Sequence, residues 1–219
     1  MESKVEAGQI LESMRQLLSV TVLPIVAYVA AMTAVYSLLD LYAAGTGNYS
    51  AGSFANAAAG YALMHSLVVK TGMASKGEVA GFGAYFGLSI LQGLAYLAGL
   101  ILLIVPGIIL IVRWTPSFAL LMSEKRGVME SMKLSWKETK GSFWPLFGVT
   151  LLGAVPALLA ILMAATLFGD AVPTSATGVA LSMLTNVCVT AMSAYYALLG
   201  LATYRQLFRR NEGLSEVFA

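Results

Sequence analysis

From Leu17 to Leu39 no residue carries a charge, and an uninterrupted apolar run of that length suits a helix that crosses a bilayer. Similar runs recur along the chain. They assign spans to Leu17–Tyr42, Ser53–Val69, Ala84–Val105, Ile108–Met122, Phe143–Phe168 and Gly178–Tyr204, the second and fourth being the shortest. Composition leaves no room for a water-facing shell around them. Apolar residues make up 58% of the 219 and charged residues 11%, against about a quarter charged in soluble domains. The expected fold is an all-α polytopic membrane protein: one integral domain over 1–219, with six transmembrane helices and interfacial amphipathic helices. The first run is too long for the apolar part of a cleaved signal peptide and reads as a retained span.

Charge placement fixes the expected orientation. Of the 13 Lys and Arg, all but Arg113 fall on one side of this arrangement: Lys4, Arg15, Lys70, Lys76, Lys125, Arg126, Lys133, Lys137, Lys140, Arg205, Arg209 and Arg210. The opposite loops, Ala43–Gly52 and Gly169–Thr177, contain none. The positive-inside bias therefore predicts cytoplasmic N- and C-termini, a cytoplasmic amphipathic loop over 124–142 and a cytoplasmic tail over 205–219.

Two segments have the pattern of helices lying on a membrane. Over 1–16 and its junction with the first span, Ala7, Ile10, Leu11, Met14, Leu17 and Leu18 recur at helical spacing, with Glu6, Gln9, Glu12, Ser13 and Gln16 opposite. In the second, Val128, Met129, Met132 and Trp136 form an apolar stripe, with Glu130, Lys133, Lys137 and Lys140 on the other face. Trp136 and Trp144 suit the headgroup region. Glu12-Ser13-Met14-Arg15 and Glu130-Ser131-Met132-Lys133 hold the same place before an outgoing span. Gly77-Glu78-Val79-Ala80 reads as a degenerate third copy, so the pattern suggests three hairpins, each fed by an inner surface helix.

Between Ile101 and Val112 the chain reads ILLIVPGIILIV. Pro106-Gly107 is the only punctuation, and the pair predicts a tight turn with no polar residue around it. A single kinked helix through Pro106 is the alternative, and it would put Lys125 to Lys140 on the wrong side. Arg113 lies about 9 Å beyond that turn along a helix, a depth at which a charge must face protein or water. Two roles are open: an ion pair with Asp40, or binding of an anionic group such as a lipid phosphate. Pro116 predicts a kink that opens a cavity beside Arg113, and Trp114 stands with Arg113, Asp40, Tyr61, His65 and Asn186 as a ligand candidate.

Other polar groups in the spans are Tyr61, His65, Asn186 and Cys188, candidates for a pocket, though such groups commonly hold helices together. The single histidine and single cysteine exclude a His-rich metal site and an intrachain disulfide. No phosphate loop, nucleophile elbow, zinc pattern or dinucleotide fingerprint is present. No enzymatic activity, metal, cofactor or nucleic-acid partner is expected.

Pro106-Gly107, Arg113-Trp114, Glu124, Gly127, Ser135-Trp136, Thr139, Gly141 and Trp144 together resemble a pattern in a bacterial membrane family. It contains the YciC-like proteins and the membrane domain joined to some glycerophosphoryl diester phosphodiesterases. The resemblance covers about forty residues closely and the whole chain in hydropathy outline. It implies a six-helix fold and an inner-membrane location. The phosphodiesterase activity resides in a separate soluble barrel that this chain does not contain, so it is not carried over. Glu124, Ser135, Trp136, Lys140, Gly141 and Trp144 then form an interfacial motif.

Two functions remain open. The first is a scaffold, assembly or envelope-maintenance protein, whose basic amphipathic helices bind anionic lipids or a protein partner, alone or as an oligomer. The alternative is a transport or permeation component for a lipid or amphipathic small molecule, suggested by irregular backbone beside an intramembrane charge.

Overall fold

A computed structural model describes residues 5–42, 50–168 and 175–209. Among them all the regular structure is helical, with no strand. Eight α-helices follow in order: α1 Ala7–Tyr42, α2 Ser50–Lys70, α3 Phe82–Leu102, α4 Ile104–Arg113, α5 Ser117–Glu124, α6 Val128–Glu138, α7 Phe143–Phe168 and α8 Ala176–Tyr204. Lys4, most of both Lys- and Arg-free loops (43–49 and 169–174), and Arg210 with the rest of the tail lie outside the described residues.

Five helical stretches are long and apolar enough to cross a membrane: Ala7–Tyr42, Phe82–Leu102, Ile104–Glu124, Lys140–Met163 and Ala176–Phe208. The segment assigned as the second span is helical, but its Ser, Asn, Gly, Tyr and His content keeps it out of that group. This composition matches its place. α2 packs on α1, α3, α5 and α8, and its Leu63, Met64, Leu67 and Val68 are at most 5% exposed.

The N-terminal segment is not a separate surface helix. α1 is continuous over 36 residues and passes through Pro24, so its stripe and the span share one rod about 54 Å long. Ile10, Met14 and Leu17 pack into the protein core, while Leu11 and Leu18 remain exposed. The Val5 amide donates to Ser142 Oγ, fastening this end to the start of α7. The tail is likewise shorter than the sequence pattern indicates. Arg205–Arg209 continue α8 as a π-helical turn, with Leu207 buried.

Of the three repeat copies, two keep the same burial pattern: Ser13 with Met14, and Ser131 with Met132, are buried. The third fails, because residues 71–81 form turns rather than a helix. Ala80 N instead donates to Met122 O, tying this connection to α5.

The hairpin reverses at Leu103, not at Pro106-Gly107. Leu103 is extended (φ −161°, ψ 131°) and caps both α3 and α4. Pro106 falls in the first turn of α4, where a missing N–H leaves no intrahelical bond unmade. Gly107 serves close packing instead. A Cβ there would lie 2.9 Å from Leu100 N, and one on Gly99 would lie 2.9 Å from Gly107 Cα. Ile101 to Val105 at the tip are 66–77% exposed, an apolar cap suited to hydrocarbon rather than water.

α5 is the centre of the bundle. Ser117, Ala119, Leu120, Leu121 and Met122 are fully buried among α2, α3, α6 and α8. At its end Lys125 adopts a left-handed conformation (φ 48°, ψ 32°) and reverses the chain into α6, its Nζ donating to Gly77 O. α6 runs back along α5, with Met129 and Trp136 of its apolar stripe outward, as a helix lying on a membrane requires, and Met132 turned inward. Ser131, Met132, Ser135 and Thr139 are buried, whereas Met129 and Trp136 are exposed. Small hydroxyl residues permit the closer approach, and two of them act directly on the break between α4 and α5.

Candidate functional site

That break occupies Trp114-Thr115-Pro116. Proline cannot donate to the carbonyl four residues back, so Val112 O receives Thr115 N (3.4 Å) and Thr115 Oγ1 (2.9 Å) instead. Ser117 N and Oγ both turn to Trp114 O, which leaves Arg113 O without its helical partner. Ser135 Oγ (2.7 Å) and Thr139 Oγ1 (3.2 Å) of the α6 segment donate to it. Hydroxyl groups therefore satisfy the backbone opened at the break, as an interrupted helix in a low-dielectric setting requires. Replacing Ser135 by Ala together with Thr139 by Val should lower the thermal stability of detergent-solubilised protein by about 1–3 kcal/mol, the cost of orphaning a buried carbonyl. Thr139→Ser in the Ser135→Ala background should recover part of it.

Gly200 brings α8 onto the break. A Cβ at this position would stand 2.6 Å from the Thr115 carbonyl oxygen. Above the contact, the α3–α4 hairpin and α8 do not close on each other, and a cavity of about 400 Å³ lies between them, reaching α2 and α5 at Met64 and Phe118. Tyr96, Ile111, Trp114, Phe118, Met192 and Tyr196 give it a largely aromatic wall. Gln92, 2% exposed, is its fixed polar point: Nε2 donates to Ser117 Oγ at 2.5 Å and Oε1 accepts from Tyr96 OH at 3.1 Å. No Asp, Glu, Lys, Arg or His lines it. Its volume falls in the usual range for small-ligand pockets, about 300–1,000 Å³.

Trp114 is the one ligand candidate from the sequence that lines this cavity. Arg113 points elsewhere, its guanidinium lying 5.1 Å from the centroid of the Trp136 ring and donating through NH1 to Trp136 O at 3.2 Å. Its Nε is buried without a hydrogen bond. The ion pair with Asp40 is not formed. Asp40 Oδ2 accepts from Ser182 Oγ at 2.6 Å and Asn186 Nδ2 at 2.8 Å, joining α1 to α8. The depth inferred for Arg113 assumed that the chain turned at Pro106. It also could not show that α6 folds back to meet the end of α4.

The other candidates separate into distinct places. Tyr61 OH donates to Ala80 O, and its ring meets those of His65, Phe82 and Tyr85 at 5.6–6.0 Å. His65 packs at that aromatic cluster. Glu124 accepts from Tyr204 OH at 3.0 Å and from Arg126, bracing α8 against the α5–α6 turn. Arg126 also reaches Glu130, and the two carboxylates, Glu124 foremost, hold its guanidinium above the ordinary arginine range. Lys140 and Gly141 form the 3-10 turn before α7, and Trp144 is 75% exposed. Of the interfacial motif, then, Ser135 and Trp136 share one contact cluster with Arg113.

Sequence reasoning missed Gln92, Tyr96, Thr115, Ser117, Phe118 and Tyr196, whereas Gly200 is one of the small residues that mark a close helix contact in the sequence. Gln92 alone had a readable signal, as the single amide inside an otherwise apolar third span. No family model, curated protein or solved structure matches this chain.

Proposed function

We propose that this chain is a non-enzymatic, multi-pass protein of the bacterial inner membrane that holds one lipid-like or amphipathic molecule in the aromatic cavity beside the broken helix, as a component of its transport or permeation. α2 supplies the sixth span, an inner one, and the termini and basic loops are cytoplasmic. The observation that carries the reading is an uncharged cavity of about 400 Å³ placed where an interrupted helix meets its neighbour. In transporters, discontinuous helices of this kind form the substrate site. The ligand contacts come from the rings and Gln92, with Arg113 outside.

The test is native mass spectrometry of protein extracted directly into polymer nanodiscs. Wild type and Arg113→Leu should retain the same low-mass species, and Ala197→Phe, which fills the cavity wall, should lose at least 90% of it. An unliganded wild type, or equal retention in Ala197→Phe, overturns the reading.

A specific surface favours the scaffold reading as a second function. Met129 and Trp136 are exposed on α6, beside a groove where Lys133 and Lys137 accompany the Arg126–Glu130 ion pair. Such a face suits anionic lipid, each basic residue adding about 1 kcal/mol of attraction near the surface. Exchanging Lys133 and Lys137 for Glu should reduce flotation with anionic vesicles while leaving the cavity species in place.

A further inference from the structure

The aromatic cavity has an annex. A second cavity of about 280 Å³ borders it at Tyr85, Ser193 and Ala197, residues that line both. The chemistry of the two is different. The annex sets Tyr28, Asn56, Ser89 and Ser193 beside Leu63, Phe86 and Ile90, whereas Trp114, Phe118 and Met192 dominate the larger cavity, with Gln92 and Thr115 as its further polar groups.

Its hydrogen-bonding groups are partly uncommitted. Asn56 Oδ1 accepts from Tyr28 OH at 3.0 Å, and the Asn56 amide NH2 has no partner among the described residues. Tyr85 OH also makes no hydrogen bond among them. It stands in the space left by Gly60, where a Cβ would lie 2.7 Å from it. Ser89 Oγ and Ser193 Oγ donate to Tyr85 O and Val189 O in their own helices; Ser193 is also in side-chain hydrogen-bond contact with Tyr28, and the lone pairs of Ser89 remain as acceptors. Donors and acceptors thus surround one small space, and neither cavity is lined by Asp, Glu, Lys, Arg or His. An ionised head placed here would be desolvated without a counter-charge, whereas a hydroxyl or amide would find both donors and acceptors.

We infer that the two cavities are one bipartite site for a neutral amphiphile, its hydroxyl- or amide-bearing head at Asn56, Tyr85, Ser89 and Ser193 and its apolar body among Trp114, Phe118 and Met192. The inference rests on the cavity being a ligand site and adds the charge class and orientation of its occupant. Tyr85 is the junction: its hydroxyl serves the head and its ring, 4.8 Å from Phe118 centroid to centroid, serves the body. The binding mode fixes direction. The head lies toward α1 and α2, the body toward α4 and α5.

The three tryptophans are 114, 136 and 144, so Trp136→Phe with Trp144→Phe leaves Trp114 as the reporter inside the site. In nanodiscs, a monoacylglycerol with a brominated chain should quench Trp114 saturably. The phosphate-headed lipid with the same chain should need at least tenfold more. Asn56→Leu, which also removes the acceptor of Tyr28 OH and so lowers the unfolding temperature modestly, should weaken the neutral probe at least tenfold while the protein stays folded. Should that variant misfold, Ser89→Val provides the same comparison from α3. Equal affinity for the two lipids, or no weakening in a folded variant, overturns the bipartite neutral site while leaving cavity binding intact. Absence of saturable quenching by either probe overturns the cavity reading as well. Where quenching saturates, a neutral lipid retained in the native mass spectrum identifies the membrane as the source. Saturation with no retained lipid identifies a water-borne amphiphile of the same chemistry.

Discussion

Gly200→Val is expected to abolish recovery of folded protein or to lower its unfolding temperature in mild detergent more than any other single substitution considered. The Cβ would meet the Thr115 carbonyl oxygen at 2.6 Å, and that oxygen belongs to backbone already constrained by the α4–α5 break. A flexible side chain could move aside; this group cannot without shifting α5, whose residues 119–122 are fully buried. Overpacking typically costs 1–3 kcal/mol where neighbours can adjust, and here the adjustment requires moving the central helix, so at least about 3 kcal/mol is expected. Gly200→Ala should show a smaller loss of the same sign. An unchanged unfolding temperature for Gly200→Val would show that α8 does not press on the break.

The second large effect is expected at Asp40. Its carboxylate accepts from Ser182 and Asn186 at 2.6 and 2.8 Å, within the most extensive helix interface of the protein, α1 against α8. Hydrogen bonds to a charged group contribute about 1.5–3 kcal/mol each, so Asp40→Ala should cost about 2–4 kcal/mol of stability. Asp40→Asn should cost less, since an amide oxygen still accepts. Because Arg113 is held by Trp136, Asp40→Asn and Arg113→Gln should add, within about 0.5 kcal/mol. Recovery of stability in the double variant is the outcome of a direct ion pair and would contradict this arrangement. The measurement is chemical or thermal unfolding of the four proteins in one detergent.

These predictions differ from those the sequence would give, and the difference has a physical origin. Hydropathy and charge placement locate helices well because both are local properties. The assigned segments Phe143–Phe168 and Gly178–Tyr204 agree closely with α7 and α8. Pro116 correctly marks the break in the fourth segment, since a missing N–H leaves a carbonyl without its partner when proline lies beyond the first turn. Pro106 misled for the same reason inverted: in a first turn the missing N–H has no consequence. Whether a proline lies in the first turn or the middle depends on where the chain reverses, and Leu103, which reverses it, carries no sequence signal for doing so.

The candidate site was less legible than the helices. Trp114 was found because it neighbours an intramembrane arginine, yet the two side chains face different surroundings. Asn56, Gln92 and Ser193 are separated by up to 137 positions and belong to α2, α3 and α8; nothing in their spacing relates them. Amphipathic periodicity identified α6 and its exposed Met129 and Trp136, but it could not show that the opposite face meets the Arg113 carbonyl through Ser135 and Thr139.

By itself, then, the sequence determined an all-helical chain with segments suited to a bilayer, because apolar length, proline and charge act residue by residue. Tertiary structure decided which polar groups meet, that Arg113 stacks on Trp136 while Asp40 joins α1 to α8, and that an uncharged cavity remains beside the α4–α5 break. Those outcomes depend on helix rotation and close approach at Gly99, Gly107 and Gly200, where the absence of one methyl group lets backbones touch that are remote in the chain.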